Sequence, residues 1–145
     1  MTRVVVVEDH TLVRQSLVKM VAAEPGFEVV GETGRGDEAI ELLARLKPDL
    51  ALLDIAMPGG DGLEVAERAK VHTPATRLLF LTMHEDDASI VRAVGVGADG
   101  YVLKTASTEE LMQALRTVAA GNSYLSPRIA KRIMNLAASR SSTTH

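Results

Sequence analysis

Cysteine is absent from the 145-residue sequence, which excludes disulfides and thiolate metal centres. No apolar run approaches the length of a membrane span, and the N-terminus lacks the long apolar segment of a signal peptide. The expected compartment is therefore the cytosol, with no membrane partner. No segment repeats at a fixed period, so a solenoid is excluded. The histidines His10, His72, His84 and His145 lack metal-ligand spacing and read as surface residues. Gly95-Val96-Gly97 follows a helical pattern rather than a strand, so it is a helix stop and not a dinucleotide-binding fingerprint. Acidic residues are absent after Glu110. Up to that point the chain holds 19 acidic and 11 basic residues, a net of −8; beyond it stand only Arg116, Arg128, Lys131, Arg132 and Arg140. The acidic body argues against nucleic-acid binding by general electrostatics. The five spread-out bases read as a solvated helix face ahead of a DNA contact.

What is present is the composition of one globular domain with at most an appendage. Hydrophobic residues make up 46% and charged residues 24%, in a chain long enough to bury a core. Val4 to Val7 is a β-branched run and reads as a buried strand. Thr11 is placed to cap a helix whose apolar residues are Leu12, Leu17, Val18 and Val21, stopped by Pro25-Gly26. Phe27 to Val30 predicts a second strand, ending by Gly31; a helix from Asp37 follows and halts before Pro48. Leu50 to Leu53 is a third strand, broken by Pro58-Gly59-Gly60-Asp61-Gly62. A shorter helix carries Leu63, Val65, Ala66 and Ala69. Leu78 to Leu81 is a fourth strand, followed by a helix through Ile90, Val91 and Val94 whose first turn is acidic at Glu85 to Asp87. Gly100 to Leu103 is a fifth strand. Ser107 or Thr108 caps the next helix, with Glu110 near the place for a capping box and Gly121 closing it. Five repeats of strand then helix predict an α/β fold: a doubly wound, five-stranded parallel sheet with helices on both faces. Ser126-Pro127 opens one more amphipathic segment, with Ile129, Ile133, Leu136 and Ala137 on one face, and residues 139–145 read as a polar linker or frayed tail.

Each strand is apolar until its last position and polar there. Glu8 and Asp9, Asp54, Thr82 and Lys104 stand at four such ends. In parallel strands these groups share one edge, the carboxyl edge where open α/β sheets bind ligands. Close carboxylates repel one another unless a cation is present. A few oxygen ligands with positions left for water and phosphate suit Mg²⁺, with Mn²⁺ a second candidate. A cation plus a lysine neutralises a phosphoryl group, and a carboxylate can itself become an acyl phosphate. Asp54, on the expected central strand, is the candidate nucleophile. Singly, each residue has a plainer reading: Glu8-Asp9 as a helix cap, Thr82 bonded to backbone, Lys104 solvated, Asp54 satisfying its loop. The joint placement favours chemistry.

The segments Val5 to His10, Leu53 to Gly62, Leu81-Thr82 and Gly97 to Lys104 together resemble the receiver domain of two-component response regulators. Glu-Asp-His at the first strand and Gly-Tyr-Val-Leu-Lys-Thr at the fifth are similar to the NarL/FixJ type. The resemblance implies the flavodoxin-like strand order 2-1-3-4-5. It implies that Asp54 accepts a phosphoryl group from a sensor histidine kinase. Asp9, Asp54 and the backbone carbonyl of Ala56 would hold Mg²⁺, with Glu8 acting through a metal-bound water. Thr82 and Lys104 would contact the phosphoryl oxygens, and Tyr101 would change rotamer as Thr82 moves. A half-buried strand tyrosine is the plainer reading of Tyr101.

The implied boundaries are a receiver over residues 1–122 and a linker helix with polar tail over 123–145, leading toward a DNA-binding domain absent from this chain. The receiver would be a switch that catalyses only its own phosphorylation and dephosphorylation, that changes dimerisation or output of a transcriptional regulator, and that reaches DNA only through the absent domain. Thr105 stands where many receivers carry proline after the lysine, so that cis-proline constraint is missing. Two other readings stay open at this level. One is a stand-alone receiver acting by protein–protein contact. The other is an aspartyl-nucleophile, Mg²⁺-dependent phosphatase, weakened because Ala56 occupies the position of its acid/base carboxylate. A flavin carrier is weaker still, since Glu8-Asp9-His10 is acidic where a phosphate cradle belongs.

Overall fold

The computed structural model describes residues 1–55, 61–83 and 85–143, with side chains as far as Ser139. Ala56, His84 and His145 lie outside the described residues. The chain runs β1 (Thr2–Val7), α1 (Thr11–Ala23), β2 (Phe27–Thr33), α2 (Gly36–Leu46), β3 (Leu50–Leu53), α3 (Gly62–His72), β4 (Arg77–Thr82), α4 (Asp87–Val96), β5 (Gly100–Leu103), α5 (Thr108–Ala119), β6 (Tyr124–Leu125) and α6 (Pro127–Thr143). All strands pair in parallel, in the order β2-β1-β3-β4-β5-β6. The first five strands take the expected order. The sixth corrects the expected five: Tyr124 and Leu125 pair with Gly100 and Tyr101 and extend the sheet past β5. Two residues show too little alternation to be read as a strand.

The strands split their side chains between two cores, as a period of two requires. Val4, Val6, Leu50, Leu52, Leu79 and Val102 face α1 and α5. Val5, Val7, Ala51, Leu53, Phe80 and Tyr101 face α2, α3, α4 and Ile129 of α6. Burial on both faces is why these strands read as unbroken apolar runs. The same layering explains two misread helix faces. Leu17 and Val21 carry the buried stripe of α1, and Leu12 falls on the opposite side, 76% exposed. In α4 the buried stripe is Ile90 and Ala93, which leaves Val91 and Val94 exposed.

Local chemistry sets the element ends. Asp61, Asp86 and Ser107 each accept a hydrogen bond from the backbone N–H three residues on, capping α3, α4 and α5. Thr11 is not a cap: His10 holds that position without a side-chain bond, and Thr11 is the first helical residue. The capping box at α5 is half made, because the Glu110 carboxylate accepts from Tyr124 Oη at 2.8 Å and Ser126 Oγ at 3.3 Å instead of returning to Ser107. β2 does not end by Gly31. It continues to Thr33 because the β1·β2 register slips between Val4 and Val5, leaving Val30 as the extra residue and Gly31 opposite Val5. A glycine inside a strand often marks such a bulge. α6 runs through the serines expected to fray. Helix propagation adds one hydrogen bond per residue once a turn exists, and the Ala-rich turn before Ser139 supplies it.

No helix among the described residues is long and apolar enough to cross a membrane.

Candidate functional site

β1 and β3 are neighbours, yet their crossovers leave on opposite faces, α1 on one and α3 on the other. This is the switch point of a doubly wound sheet, where the strand ends open into a crevice. Val7 pairs with Leu53 at the last rung. Glu8 and Asp54 therefore come next, side by side, with the Asp54 N–H donating to the Val7 carbonyl at 3.0 Å. β4 ends at Thr82 opposite Leu103, and the Lys104 N–H donates to the Thr82 carbonyl at 2.9 Å.

The side chains converge. Lys104 Nζ lies 2.6 Å from Glu8 Oε1 and 2.9 Å from Asp54 Oδ2. Glu8 is 1% exposed, Asp54 7% and Thr82 fully buried. One ammonium thus bridges two carboxylates removed from water, which is the pairing that burial of charge demands. The second Glu8 oxygen accepts from the His10 N–H at 3.0 Å. Burial raises the pKa of Glu8 above the ordinary carboxylate range, with the Asp54 charge adding to it, against the hydrogen bonds from Lys104 and His10. Burial lowers the affinity of Lys104 for its proton, but hydrogen bonds to Glu8 and Asp54 and their charges outweigh it, and its pKa is raised. Asp9 and His10 are exposed at the rim. Each offers a ligand atom, and with a Glu8 oxygen these lie within 4.8 Å of one another.

The structure therefore brings together Glu8, Asp54 and Lys104 and places Asp9 and Thr82 beside them. Tyr101 does not line the crevice. It sits in the core, 2% exposed, with its ring 6.1 Å from that of Phe80 at an interplanar angle of 54°. The Ala56 carbonyl lies outside the described residues.

Two supporting residues carry no signal that sequence reasoning had used. Arg14 Nη1 donates to the Glu8 carbonyl at 2.8 Å while its Nε pairs with Glu32 at 3.2 Å, which pins the end of β1 to β2. Arg14 is one helical turn past the acidic motif and looks like any surface arginine. In the sequence Gly62 reads only as a loop breaker. Its N–H donates to the Ile55 carbonyl, and a Cβ built on it would overlap the carbonyl of Asp54. Gly62→Ala should therefore push on the backbone of Asp54, and backbone cannot escape by changing rotamer. The expected cost is about 1–3 kcal/mol, read as a lower urea midpoint at unchanged slope. An unchanged midpoint would show that the turn relaxes without disturbing the strand end.

The set matches known proteins. The family profile described as response regulator receiver domain matches residues 4–116. The chain is 40% identical over 133 residues to the response regulator GacA of Pseudomonas aeruginosa, covering 92% of this chain and 62% of that protein. It thus spans less than two thirds of the length of this relative. The crystal structure of a LuxR-family two-component response regulator from an Aurantimonas species superposes with a TM-score of 0.89 at 33% identity, over 95% of this chain and 99% of that one. The isolated REC domain of RcsB from Salmonella enterica serovar Typhimurium, solved with the phosphomimetic BeF3−, gives a TM-score of 0.83 at 26% identity, over 90% and 96%. With the profile covering most of its length and the strand-end carboxylates and lysine in one crevice, the chain belongs to the receiver domains of two-component response regulators.

Proposed function

We propose that Asp54 is the phosphoacceptor of a signalling switch whose donor is the phosphohistidine of a sensor histidine kinase. The observation that carries this reading is the Lys104 ammonium held between Glu8 and Asp54 at the switch point of the sheet. An Asp54 carboxylate oxygen attacks phosphorus as the bond from phosphorus to the donor nitrogen breaks. Lys104, already 2.9 Å from Asp54 Oδ2, stays within reach of the phosphoryl oxygens, and the buried Thr82 supplies a hydroxyl on the neighbouring strand. The donors around Asp54 fit a small hard cation. They are carboxylate oxygens with the half-buried Lys104 ammonium among them, and the exposed Asp9 leaves an open approach. Asp9, Asp54 and the Ala56 carbonyl would hold Mg²⁺, or Mn²⁺, with Glu8 acting through water. The metal would neutralise charge developing on the phosphoryl group. The chain catalyses only its own phosphorylation and dephosphorylation.

The solved RcsB domain with a phosphomimetic supports the acceptor reading by analogy. Tyr101, in contact with Phe80 of β4, would report the movement of Thr82 to α4. Phosphorylation would promote homodimerisation and act in the cytoplasm on a transcriptional output domain beyond residue 145. DNA would be reached only through that domain.

Intact mass after incubation with a small-molecule phosphodonor and Mg²⁺ tests the proposal. The native chain should gain one phosphoryl group, the gain should require the metal, and Asp54→Asn should gain none while keeping its fold. Persistent labelling of the variant, mapped to another residue, would overturn the assignment.

A further inference from the structure

We propose that α6 is a latch, fastened by charge to the start of α4, whose docking is coupled to the phosphorylation state of Asp54. The inference rests on the acceptor reading above. Its first support is packing. Ile129 is completely buried in the core that also holds Ile90, Tyr101 and Leu103, and Ile133 packs against the same core. Just before α6, β6 pairs with β5 and joins the segment to the sheet. The second support is electrostatic. Arg128 Nη2 lies 2.7 Å from Glu85, and Arg132 places Nε and Nη2 at 3.1 and 2.6 Å from Asp87 Oδ1. Arg128 and Arg132 are two of the five bases that follow the last acidic residue, and both meet the acidic run Glu85-Asp86-Asp87. What reads in the sequence as a solvated basic face is thus partly a paired one.

The third support is position. Glu85 follows Thr82 by three residues, and the Thr82 carbonyl holds the N–H of Lys104, whose ammonium holds Asp54. Thr82 and the carboxylates that α6 grips are therefore close in the chain, and a shift of Thr82 or Lys104 toward a new phosphoryl group would act on them. The pairs are solvent-exposed, so they are weak and screened by salt. A weak ionic fastening over one buried isoleucine suits reversible release. Linkage makes the effect reciprocal: if phosphorylation loosens α6, loosening α6 favours phosphorylation.

The test uses the whole chain. Hydrogen–deuterium exchange of α6 is measured with and without a small phosphodonor and Mg²⁺, in the native chain and in the double variant Arg128→Glu/Arg132→Glu. Phosphoryl incorporation is followed by intact mass in the same samples. In the native chain, phosphorylation should speed α6 exchange by roughly fivefold or more, and higher salt should speed it without phosphorylation. The double variant should exchange fast from the start and hold a larger phosphorylated fraction than the native chain at the same donor and Mg²⁺ concentration. Adding Glu85→Arg and Asp87→Arg to it should restore slow exchange. Phosphoryl uptake with unchanged α6 exchange, or an unchanged phosphorylated fraction in the double variant, would overturn the coupling alone. Absence of any mass gain in the native chain would overturn the acceptor reading, and the coupling with it.

Discussion

Replacing Lys104 with methionine should destabilise the metal-free domain by about 3–5 kcal/mol at neutral pH, because removing one partner of a buried charge cluster strands the others. The lysine is the ammonium that meets both Glu8 and Asp54, at 2.6 and 2.9 Å, and both carboxylates are largely buried. Methionine keeps most of the aliphatic volume, so the loss reports charge rather than packing. The pH dependence fixes the cause. The pKa of Glu8 is already raised in the native fold, and the variant loses the Lys104 hydrogen bond that opposes this rise. A carboxyl whose folded pKa lies above its unfolded value favours the fold most below the unfolded value, and that contribution is lost as pH rises through the folded value. The gap between variant and native should therefore be small in acid and grow as pH climbs out of the carboxylate range.

At the alkaline end Lys104 itself loses its proton. Its folded pKa is raised, so the stability from its pairs is complete below the unfolded lysine value and disappears as pH rises through the folded one. The gap should close again there. Urea midpoints of both proteins between about pH 4 and pH 11 would trace a bell. A constant difference across that range would mean that packing, not charge, is what the lysine provides. Mg²⁺ should restore part of the variant's stability at neutral pH by replacing the missing positive charge, while phosphoryl retention on Asp54 stays impaired. Full native behaviour of the variant in both respects would remove Lys104 from the proposed machinery.

Truncating Tyr101 to alanine should cost a comparable amount, about 3–5 kcal/mol for a buried aromatic. The ring packs on Phe80 and belongs to the core shared by α4 and Ile129 of α6. Tyr101→Phe keeps the ring and should cost no more than about 1.5 kcal/mol, the value of one hydrogen-bonding group. The alanine variant should also loosen α6 in hydrogen exchange, and the phenylalanine variant should not. Similar losses in both would place the contribution in the hydroxyl. Burial, and then the charges of Asp86, Asp54 and Glu85, hold the phenol above its ordinary pKa. Its proton therefore favours the fold up to the unfolded tyrosine value, and this contribution is lost as pH rises beyond it. The ultraviolet signature of phenolate from Tyr101 should appear together with alkaline unfolding, not before it.

The strand-end residues were legible because their signal is local. An apolar run that stops at Glu8, Asp54, Thr82 or Lys104 needs only its own few residues to be read, and parallel pairing then carries all four to one edge. The cap at Ser107 and the helix start at Pro127 were legible for the same reason, since both act within one turn. The misread helix faces have a related cause. Leu12, Val91 and Val94 are apolar at plausible spacing, but which stripe is buried depends on where the helix lands on the sheet. The bulge that carries β2 past Gly31 depends on β1, so no residue of β2 announces it alone.

By itself the sequence determined the alternation of strands and helices and the strand ends at which Glu8, Asp54, Thr82 and Lys104 stand. Local patterning specifies both. Tertiary structure decided that Lys104 joins Glu8 to Asp54, that Arg14 pins the first strand, and that Gly62 must lack a side chain. It also decided that the tail after residue 122 folds back as β6 and α6 onto β5 and α4. Lys104 and Asp54 are 50 residues apart, and the α6 arginines lie 43 and 45 residues from their carboxylates. Pairings over such separations leave no trace in local pattern, because exposed charges are compatible with many partners and only the packed fold selects one.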